Sequence, residues 1–153
     1  MAGRRNPNFF YKLDVHIMAN SNPLDGKLVL LLGGDGMLGT HVAQELLARG
    51  ARLRIASRNP KGSFNLKPLA NLGQIQFTPC DVTKPQTIAP SVAGVDAVVY
   101  LVGSFDGDLD ALHVSGAQAT AQAAKQAGAE AFVYISAINA DAQSPIAYAR
   151  TKA

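Results

Sequence analysis

Glycines spaced three residues apart stand out near the start of the patterned part of the chain. Gly33, Gly36 and Gly39 lie between a short apolar run and a stretch with helical periodicity. Glycines at such a junction allow a tight turn and leave room for a diphosphate, while the free amides at the start of the helix donate hydrogen bonds. A register with Gly34 in place of Gly33 also fits. Because the loop joins a strand to a helix and lacks the Gly-Lys-Ser/Thr of a Walker loop, it predicts dinucleotide binding.

A serine and an arginine follow the second predicted strand. Ser57 and Arg58 occupy the place, about 20 residues after the glycine loop, where an acid would bind a ribose 2′-hydroxyl. No acid is present there, and a guanidinium beside a hydroxyl suits a 2′-phosphate instead. The sequence therefore favours NADP(H) over NAD(H), unless Arg58 is an ordinary solvated arginine.

Two residues after the third predicted strand offer contacts for an adenine ring. Asp81 would supply a polar contact and Val82 an apolar one. The alternative for Asp81 is that it caps the helix that follows. The single cysteine, Cys80, directly precedes this pair, and we expect it to be inert.

The end of the sequence holds a serine, a tyrosine and a lysine that could move a proton. Tyr148 and Lys152 are one helical turn apart, so both side chains share a face. An ammonium beside a phenol favours the phenolate, which would let Tyr148 act as general acid and base. Ser136, twelve residues before the tyrosine, would orient a carbonyl or hydroxyl. The alternative is an ordinary helix surface.

Alternating apolar and helical segments from Lys27 onward must position these residues. The strands are predicted at residues 28–32, 52–56, 75–78, 97–102 and 131–135, and the helices at 40–49, 87–92 and 109–127. Strands separated by single helices run parallel, with right-handed crossovers. The predicted fold class is therefore α/β, a doubly wound parallel sheet of the Rossmann type with five strands present.

Composition narrows the class of protein. A hydrophobic content of 48% and a charged content of 16% in 153 residues indicate one globular domain, with no apolar run of the roughly 18 residues that a transmembrane segment needs. One cysteine excludes a disulfide framework and a cysteine-rich zinc site. The net charge of +3 is concentrated in six basic residues between Arg49 and Lys67, which indicates a local anion site and no nucleic-acid partner.

Residues 1–26 differ in character from the rest of the chain. They contain Arg4, Arg5, four asparagines and two prolines, without a secretory signal's apolar core. We predict an N-terminal extension that is either disordered or not native. The second alternative is that the protein starts at Met18 and that the preceding residues are upstream sequence.

Several segments together resemble one family. They are the glycine loop, Ser57 to Pro60, Leu66 to Leu69, Leu72 to Gln74, Asp81 to Thr83, Val98 to Gly103, His113 to Ala117 and Ser136 to Ile138. In combination they resemble the atypical or extended short-chain dehydrogenase/reductase superfamily, and within it the NAD(P)H-binding accessory subunits of respiratory complex I and their bacterial relatives. The similarity covers residues 27–153.

The resemblance implies roles for individual residues. It places the glycine loop and the Asp-Val pair on the cofactor, Leu101 to Gly103 beside its ribose and nicotinamide, and Lys152 on the nicotinamide ribose. The expected cofactor-binding residues are Gly33, Gly36, Met37, Leu38, Gly39, Ser57, Arg58, Asp81, Val82, Leu101, Val102 and Gly103. The expected catalytic residues are Ser136, Tyr148 and Lys152, and no metal site is expected. We expect His113, which stands where many relatives carry asparagine, to be structural.

Two functions follow from the resemblance. The first is a cofactor-binding, structural or assembly role beside respiratory complex I subunits, which implies the cytoplasm or the periphery of the inner membrane in a bacterium and the matrix side in a eukaryote. The alternative is an NAD(P)-dependent oxidoreductase, epimerase or dehydratase with a Ser-Tyr-Lys site. Residues 27–153 are expected to form an incomplete NAD(P)-binding domain, inactive alone, because the resemblance implies a sixth strand and a substrate region after residue 153.

Overall fold

The computed structural model describes residues 22–153 of the chain. The predicted extension at residues 1–26 therefore lies outside the described residues, except for its last five. These five lead into the first strand, where the Gly26 amide donates a hydrogen bond to the Gly50 carbonyl at 2.9 Å.

Five strands alternate with helices along the chain. The strands are β1 (Leu28–Leu32), β2 (Arg52–Ser57), β3 (Ile75–Pro79), β4 (Ala97–Tyr100) and β5 (Ala131–Tyr134). The helices are α1 (Met37–Ala48), α2 (Pro85–Val92), α3 (Gly116–Gln126) and α4 (Ala147–Thr151). A 3-10 helix (Pro60–Leu69) follows β2, and a π-helical turn (Asp110–Ser115) leads directly into α3. Within residues 22–153, none of the helices is long and apolar enough to cross a membrane.

The five strands form one parallel sheet in the order β3-β2-β1-β4-β5. Leu30, in the middle of β1, pairs with Arg54 of β2 on one side and with Val98 of β4 on the other. The chain moves outward from β1 to β3 and then returns to the other side of β1, so the loops after β1 and β4 diverge and leave a crevice. The predicted doubly wound parallel sheet, a Rossmann fold, is confirmed.

The central strand is buried on both faces, since every residue of β1 is buried. On one face, α1 and the 3-10 helix cover Val29 and Leu31. On the other face, α2 and α3 cover Leu30 and Leu32. Burial of a leucine side chain contributes about 1.5–3 kcal/mol, so this apolar run anchors both layers of the fold.

The fourth strand is shorter than the predicted 97–102. β4 ends at Tyr100, and two residues later the Val102 carbonyl accepts a hydrogen bond from the Lys152 ammonium at 3.0 Å. The Lys152 side chain therefore bonds to a backbone carbonyl that further strand pairing would use.

The helix predicted at 109–127 begins with the π-helical turn. The Gly116 amide donates to the Ala111 carbonyl, five residues back. The Leu112 carbonyl, which a regular helix would use there, instead accepts from the Tyr100 hydroxyl at 2.6 Å. Sequence periodicity alone predicts a regular helix, because it does not show that Tyr100 of β4 competes for the Leu112 carbonyl.

Charged residues join the starts of three strands at the amino edge of the sheet. Lys27 Nζ lies 3.3 Å from Asp96 Oδ1 and 3.1 Å from Glu130 Oε1. The other Asp96 oxygen accepts a hydrogen bond from the Leu28 amide at 2.7 Å. The Leu28 amide, and after it Lys27, hold the pKa of Asp96 below its usual value. The charged groups at this edge are therefore satisfied by one another.

Candidate cofactor-binding site

A cavity of about 660 Å³ opens at the carboxyl edge of the sheet, beside the loops that follow the first four strands. Its volume lies in the range of about 300–1,000 Å³ that is usual for ligand sites. Nine of the twelve predicted cofactor-binding residues line it, namely Gly33, Gly36, Ser57, Arg58, Asp81, Val82, Leu101, Val102 and Gly103. The other three, Met37, Leu38 and Gly39, belong to the first turn of α1.

The start of α1 offers backbone amides rather than side chains. The Met37 side chain is 86% exposed and that of Leu38 is 48% exposed. No side chain caps this helix start, and its first turn holds no acidic residue. The first amides of any helix lack partners within the helix, so they can donate to an anion. Gly36, the N-cap residue, lines the cavity beside them.

The two glycines at the cavity keep the loop close to the opposite wall. Gly33 has a φ of +76°, and a Cβ there would lie 3.2 Å from the Leu101 carbonyl carbon and the Val102 nitrogen. A Cβ on Gly36 would lie 3.4 Å from the Gly33 oxygen. A side chain at Gly33 would therefore strain the turn and push apart the loops after β1 and β4.

Gly34 and Gly39 serve packing and not the cavity. A Cβ on Gly34 would lie 2.9 Å from Leu31 Cβ, and a Cβ on Gly39 would lie 2.6 Å from backbone atoms of Gly34. These glycines let α1 approach the sheet closely, the role of the last glycine in dinucleotide loops. Of the two registers, the one with Gly33 places its first two glycines at the cavity.

An acid also lines the cavity within this loop. Asp35 lies between Gly34 and Gly36, and the sequence prediction does not include it. Its position in the sequence already indicates a negative charge at the start of a helix. The first amides of a helix favour anions, and a carboxylate beside them repels a phosphate at short range. The Asp35 carboxylate would therefore oppose an anion bound at this loop.

A cationic side chain follows the end of β2. Arg58 is exposed and lines the cavity, and within residues 22–153 its guanidinium forms no ion pair. Ser57 Oγ lies 3.3 Å from Oγ of Ser63, a fully buried residue of the 3-10 helix. Ser63, which the sequence did not single out, thus ties the turn that carries Arg58 to the body of the fold.

At the end of β3, Asp81 stabilises a turn. Its Oδ1 accepts from the Thr83 hydroxyl at 2.7 Å and from the Thr83 amide at 3.1 Å, and Lys84 Nζ lies 3.5 Å from Oδ2. The Thr83 hydroxyl is the main cause that holds the pKa of Asp81 below its usual value. The alternative that Asp81 caps α2 is wrong, because the N-cap residue is Lys84 and has no side-chain cap. Val82 is buried beside it.

The predicted catalytic lysine is buried and bonded to two backbone carbonyls. Lys152 is 3% exposed, and its Nζ donates to the Val102 and Ile135 carbonyls, each at 3.0 Å. Burial lowers its pKa. Ser136 Oγ donates to the Lys152 carbonyl at 2.5 Å. The structure therefore brings Ser136 and Lys152 together, but their polar groups are used on the backbone.

Tyr148 lies one turn before Lys152 on α4, as the spacing predicts, and the Lys152 amide donates to its carbonyl at 3.1 Å. The Tyr148 ring stacks on Phe105, with 4.6 Å between ring centroids, and meets the edge of the His113 ring at 5.5 Å. Two aromatic rings thus contact the half-buried phenol ring. None of the three predicted catalytic residues is among those that line the cavity.

Comparison with known proteins gives the family. The chain matches the family described as NAD(P)H-binding over residues 33–152. It is 28% identical over 134 residues to the NADH-ubiquinone oxidoreductase 40 kDa subunit of Neurospora crassa, which covers 85% of this chain and 36% of that protein. It is also 28% identical over 143 residues to NADH dehydrogenase [ubiquinone] 1 alpha subcomplex subunit 9 of Rattus norvegicus, covering 90% and 38%.

A solved structure is also similar to this chain. A short-chain type dehydrogenase/reductase from Mycobacterium ulcerans superposes with a TM-score of 0.71 at 28% identity, and the match covers 84% of this chain and 58% of that one. The chain spans less than two fifths of the length of the two curated relatives. The stretch that matches the NAD(P)H-binding family, residues 33–152, includes the loops that line the cavity.

Proposed function

Because the chain belongs to the NAD(P)H-binding family, we propose that it holds NADP(H) in the cavity at the carboxyl edge of the sheet and acts as a cofactor-bearing component of a respiratory assembly similar to complex I. One observation carries the proposal. The uncapped start of α1 and Arg58 lie at the cavity, whereas Ser136 and Lys152, beside β4 and β5, donate to backbone carbonyls.

The residues around the cavity fit a dinucleotide. The uncapped start of α1 and the loop at Gly33 and Gly36 would hold the diphosphate through backbone amides. Arg58 and the Ser57 hydroxyl would hold a 2′-phosphate, since a guanidinium matches two phosphate oxygens at once. Bound there, the cofactor would supply hydride transfer at its nicotinamide ring.

The engaged polar groups favour a binding role over turnover. A general acid and base needs a proton that it can exchange with a substrate, and a lysine that supports it needs a free ammonium. Lys152 Nζ is instead held by two carbonyls, and Ser136 Oγ by a third. An oxidoreductase, epimerase or dehydratase remains the second candidate, because α4 does place Tyr148 and Lys152 one turn apart.

Partners and location are inferred from the relatives. One curated relative compared above is named as a subunit of NADH-ubiquinone oxidoreductase and the other as a subunit of NADH dehydrogenase [ubiquinone]. We infer that this chain contacts complex I subunits, in the cytoplasm or at the inner membrane of a bacterium, or on the matrix side in a eukaryote.

The deciding experiment measures turnover and association together. The protein is purified from its own cells under mild conditions, and respiratory subunits, bound nucleotide and NADPH oxidation with a quinone or a carbonyl substrate are assayed. We expect co-purified respiratory subunits, retained NADP(H) and no turnover. Steady NADPH oxidation that disappears in Tyr148→Phe would overturn the proposal and establish the enzyme instead.

A further inference from the structure

A buried histidine outside the predicted site holds two elements together. His113 lies in the π-helical turn and is 2% exposed. Its Nε2 accepts a hydrogen bond from the Ser104 amide at 3.1 Å, and its Nδ1 lies 2.8 Å from Oγ1 of Thr151 on α4. One imidazole ring therefore connects the loop after β4 with the helix that carries Lys152.

The partners of the ring fix which nitrogen carries the proton. A backbone amide can only donate, so Nε2 must offer its lone pair to Ser104. The proton of a neutral ring is then on Nδ1 and is donated to the Thr151 oxygen. The Thr151 hydroxyl in turn donates to the Ala147 carbonyl at 3.0 Å. The Ser104 amide, the ring Nδ1 and the Thr151 hydroxyl thus each donate to an acceptor. A second ring proton, on Nε2, would face the Ser104 amide proton.

Two tyrosines hold the turn that presents this ring. The Tyr100 hydroxyl donates to the Leu112 carbonyl at 2.6 Å, and the Tyr134 hydroxyl donates to the His113 carbonyl at 3.2 Å. Gly116 makes room for this arrangement, because a Cβ there would lie 2.9 Å from the Tyr100 hydroxyl oxygen. The ring position is thus set by β4 and β5 and not by the turn alone.

The His113 ring is hydrogen-bonded to a segment that lines the cavity. Val102, Gly103 and Ser104 line the cavity in succession. Lys152 Nζ holds the Val102 carbonyl, and His113 holds the Ser104 amide. A Cβ on Gly103 would lie 3.7 Å from Lys152 Nζ and 3.9 Å from His113 Nε2. The wall is therefore fixed at both ends by side chains from behind it.

We propose that His113 is a positioning residue, whose neutral ring with its proton on Nδ1 holds the wall segment 102–104 against α4 and releases Ser104 when the ring gains a second proton. Its effect on the ligand rests on the proposed binding of NADP(H); the hydrogen-bond switch itself does not.

The surroundings of the ring set the direction of its response to pH. Lys152 and Tyr148 face it from α4, Tyr134 faces it from β5, and Asp110 lies in its own turn. Burial first, and the Lys152 charge second, hold the pKa of His113 below its usual 6.5, against an opposing effect of Asp110. The hold on Ser104 is therefore complete above pH 6.5 and is lost as pH falls through the lower pKa of the folded protein.

The first test needs no ligand and no variant. Nitrogen-15 NMR of the full chain reports the tautomer of His113, and amide hydrogen exchange reports the protection of Ser104. We expect a neutral ring protonated on Nδ1 at pH 8, and a Ser104 amide that exchanges at least about tenfold faster, after correction for intrinsic exchange, at a lower pH where the ring nitrogen shifts show the second proton. A proton on Nε2 at pH 8, or a Ser104 amide that stays protected after the ring has gained its second proton, would overturn the proposal.

Two variants separate the two contacts of the ring. His113→Gln keeps an acceptor near the place of Nε2, so Ser104 should stay protected at both pH values. His113→Asn keeps a donor near the place of Nδ1, so Ser104 should exchange fast at both. The control His41→Gln removes an exposed histidine of α1 and should behave as wild type. Equal Ser104 exchange in all three variants would contradict the proposal.

Cofactor titration connects the switch to the site. Between pH 8 and the lower pH at which the ring carries its second proton, the wild-type affinity for NADPH should fall several-fold more than that of His113→Gln, which corrects for protonation of the phosphate itself. Absence of NADPH binding at every pH would refute the proposed function, while the NMR result would still decide the role of the ring. Binding with the same pH profile in both proteins would refute the effect on the cavity.

Discussion

The two halves of the carboxyl edge of the sheet use their polar groups in opposite ways. Beside β1 and β2, the start of α1 borders the cavity at Gly36 and has no side-chain cap among the described residues, and Arg58 lines the cavity without an ion-pair partner among them. Beside β4 and β5, Ser136 and Lys152 donate to backbone carbonyls, and His113 bonds at both ring nitrogens. We call these regions the open half and the engaged half.

The difference predicts which substitutions change ligand affinity and which change stability. A polar group that faces a cavity is desolvated only when a ligand arrives, and its interaction then contributes to affinity. A buried polar group needs a partner in the protein at all times, because an unsatisfied one costs about 1–3 kcal/mol. Substitutions of the polar groups in the open half should therefore change affinity, and substitutions of those in the engaged half should change stability.

The largest expected effect destroys the open half. Gly39→Val places a side chain where even a Cβ would lie 2.6 Å from the Gly34 backbone. We expect a loss of about 3 kcal/mol of unfolding free energy together with loss of NADPH binding, because α1 must move off the sheet. Denaturant unfolding measures the first and calorimetric titration the second. The control Gly62→Val, where a Cβ has no neighbour nearer than 3.7 Å, should stay near wild type.

The next effect tests the engaged half. Lys152→Met removes the ammonium but keeps much of the side-chain volume, and it leaves the Val102 and Ile135 carbonyls without their donor. We expect about 2 kcal/mol of destabilisation, since relief from burying a charge offsets part of the loss. Chemical denaturation is the measurement, and Lys125→Met, at an exposed site on α3, is the control. Unchanged stability would mean that the lysine is not a structural donor.

A third substitution should change affinity alone. Arg58→Ala is expected to weaken NADPH about tenfold or more, to leave NADH unchanged and to leave the unfolding free energy within about 0.5 kcal/mol of wild type. Titrations with both nucleotides check this, with Arg49→Ala, on the exposed end of α1, as the control. Equal loss for both nucleotides would remove the assignment of Arg58 to the 2′-phosphate.

The smallest effect should be a gain. Asp35→Asn removes the carboxylate beside the helix amides and is expected to tighten binding about two- to fivefold, the size of one charge at a helix terminus. The gain should shrink as salt is raised, because screening weakens the repulsion that is removed. Titration at two salt concentrations measures both effects. Weaker binding in this variant would show that Asp35 contacts the ligand favourably.

Local pattern was enough to predict the open half. The apolar run of β1, the glycines after it and the Ser57-Arg58 pair are short segments whose neighbours in sequence are also their neighbours in space. The parallel direction of the strands followed from the alternation of strands and helices, because parallel strands need crossovers. For these features the chemistry of each residue and its place in one loop sufficed.

The engaged half could be predicted only in part. The spacing of Tyr148 and Lys152 predicted their common helix, but the partners of Lys152 lie 50 and 17 residues away in sequence. The π-helical turn depends on Tyr100, twelve residues before the carbonyl that it takes. Contacts of this kind are decided by the packing of β4, β5 and α4, and no periodicity in the sequence encodes them.

The charged cluster at the amino edge has a consequence for how the family can diversify. Lys27, Asp96 and Glu130 join the starts of β1, β4 and β5, and Asp96 also holds the Leu28 amide. The alignment of these strands is thus secured at the end farthest from the cavity. Loops at the cavity can then be exchanged, lengthened or recharged during evolution without shifting one strand along another. A sheet secured in this way can keep its cofactor cradle while the chemistry above it is gained or lost.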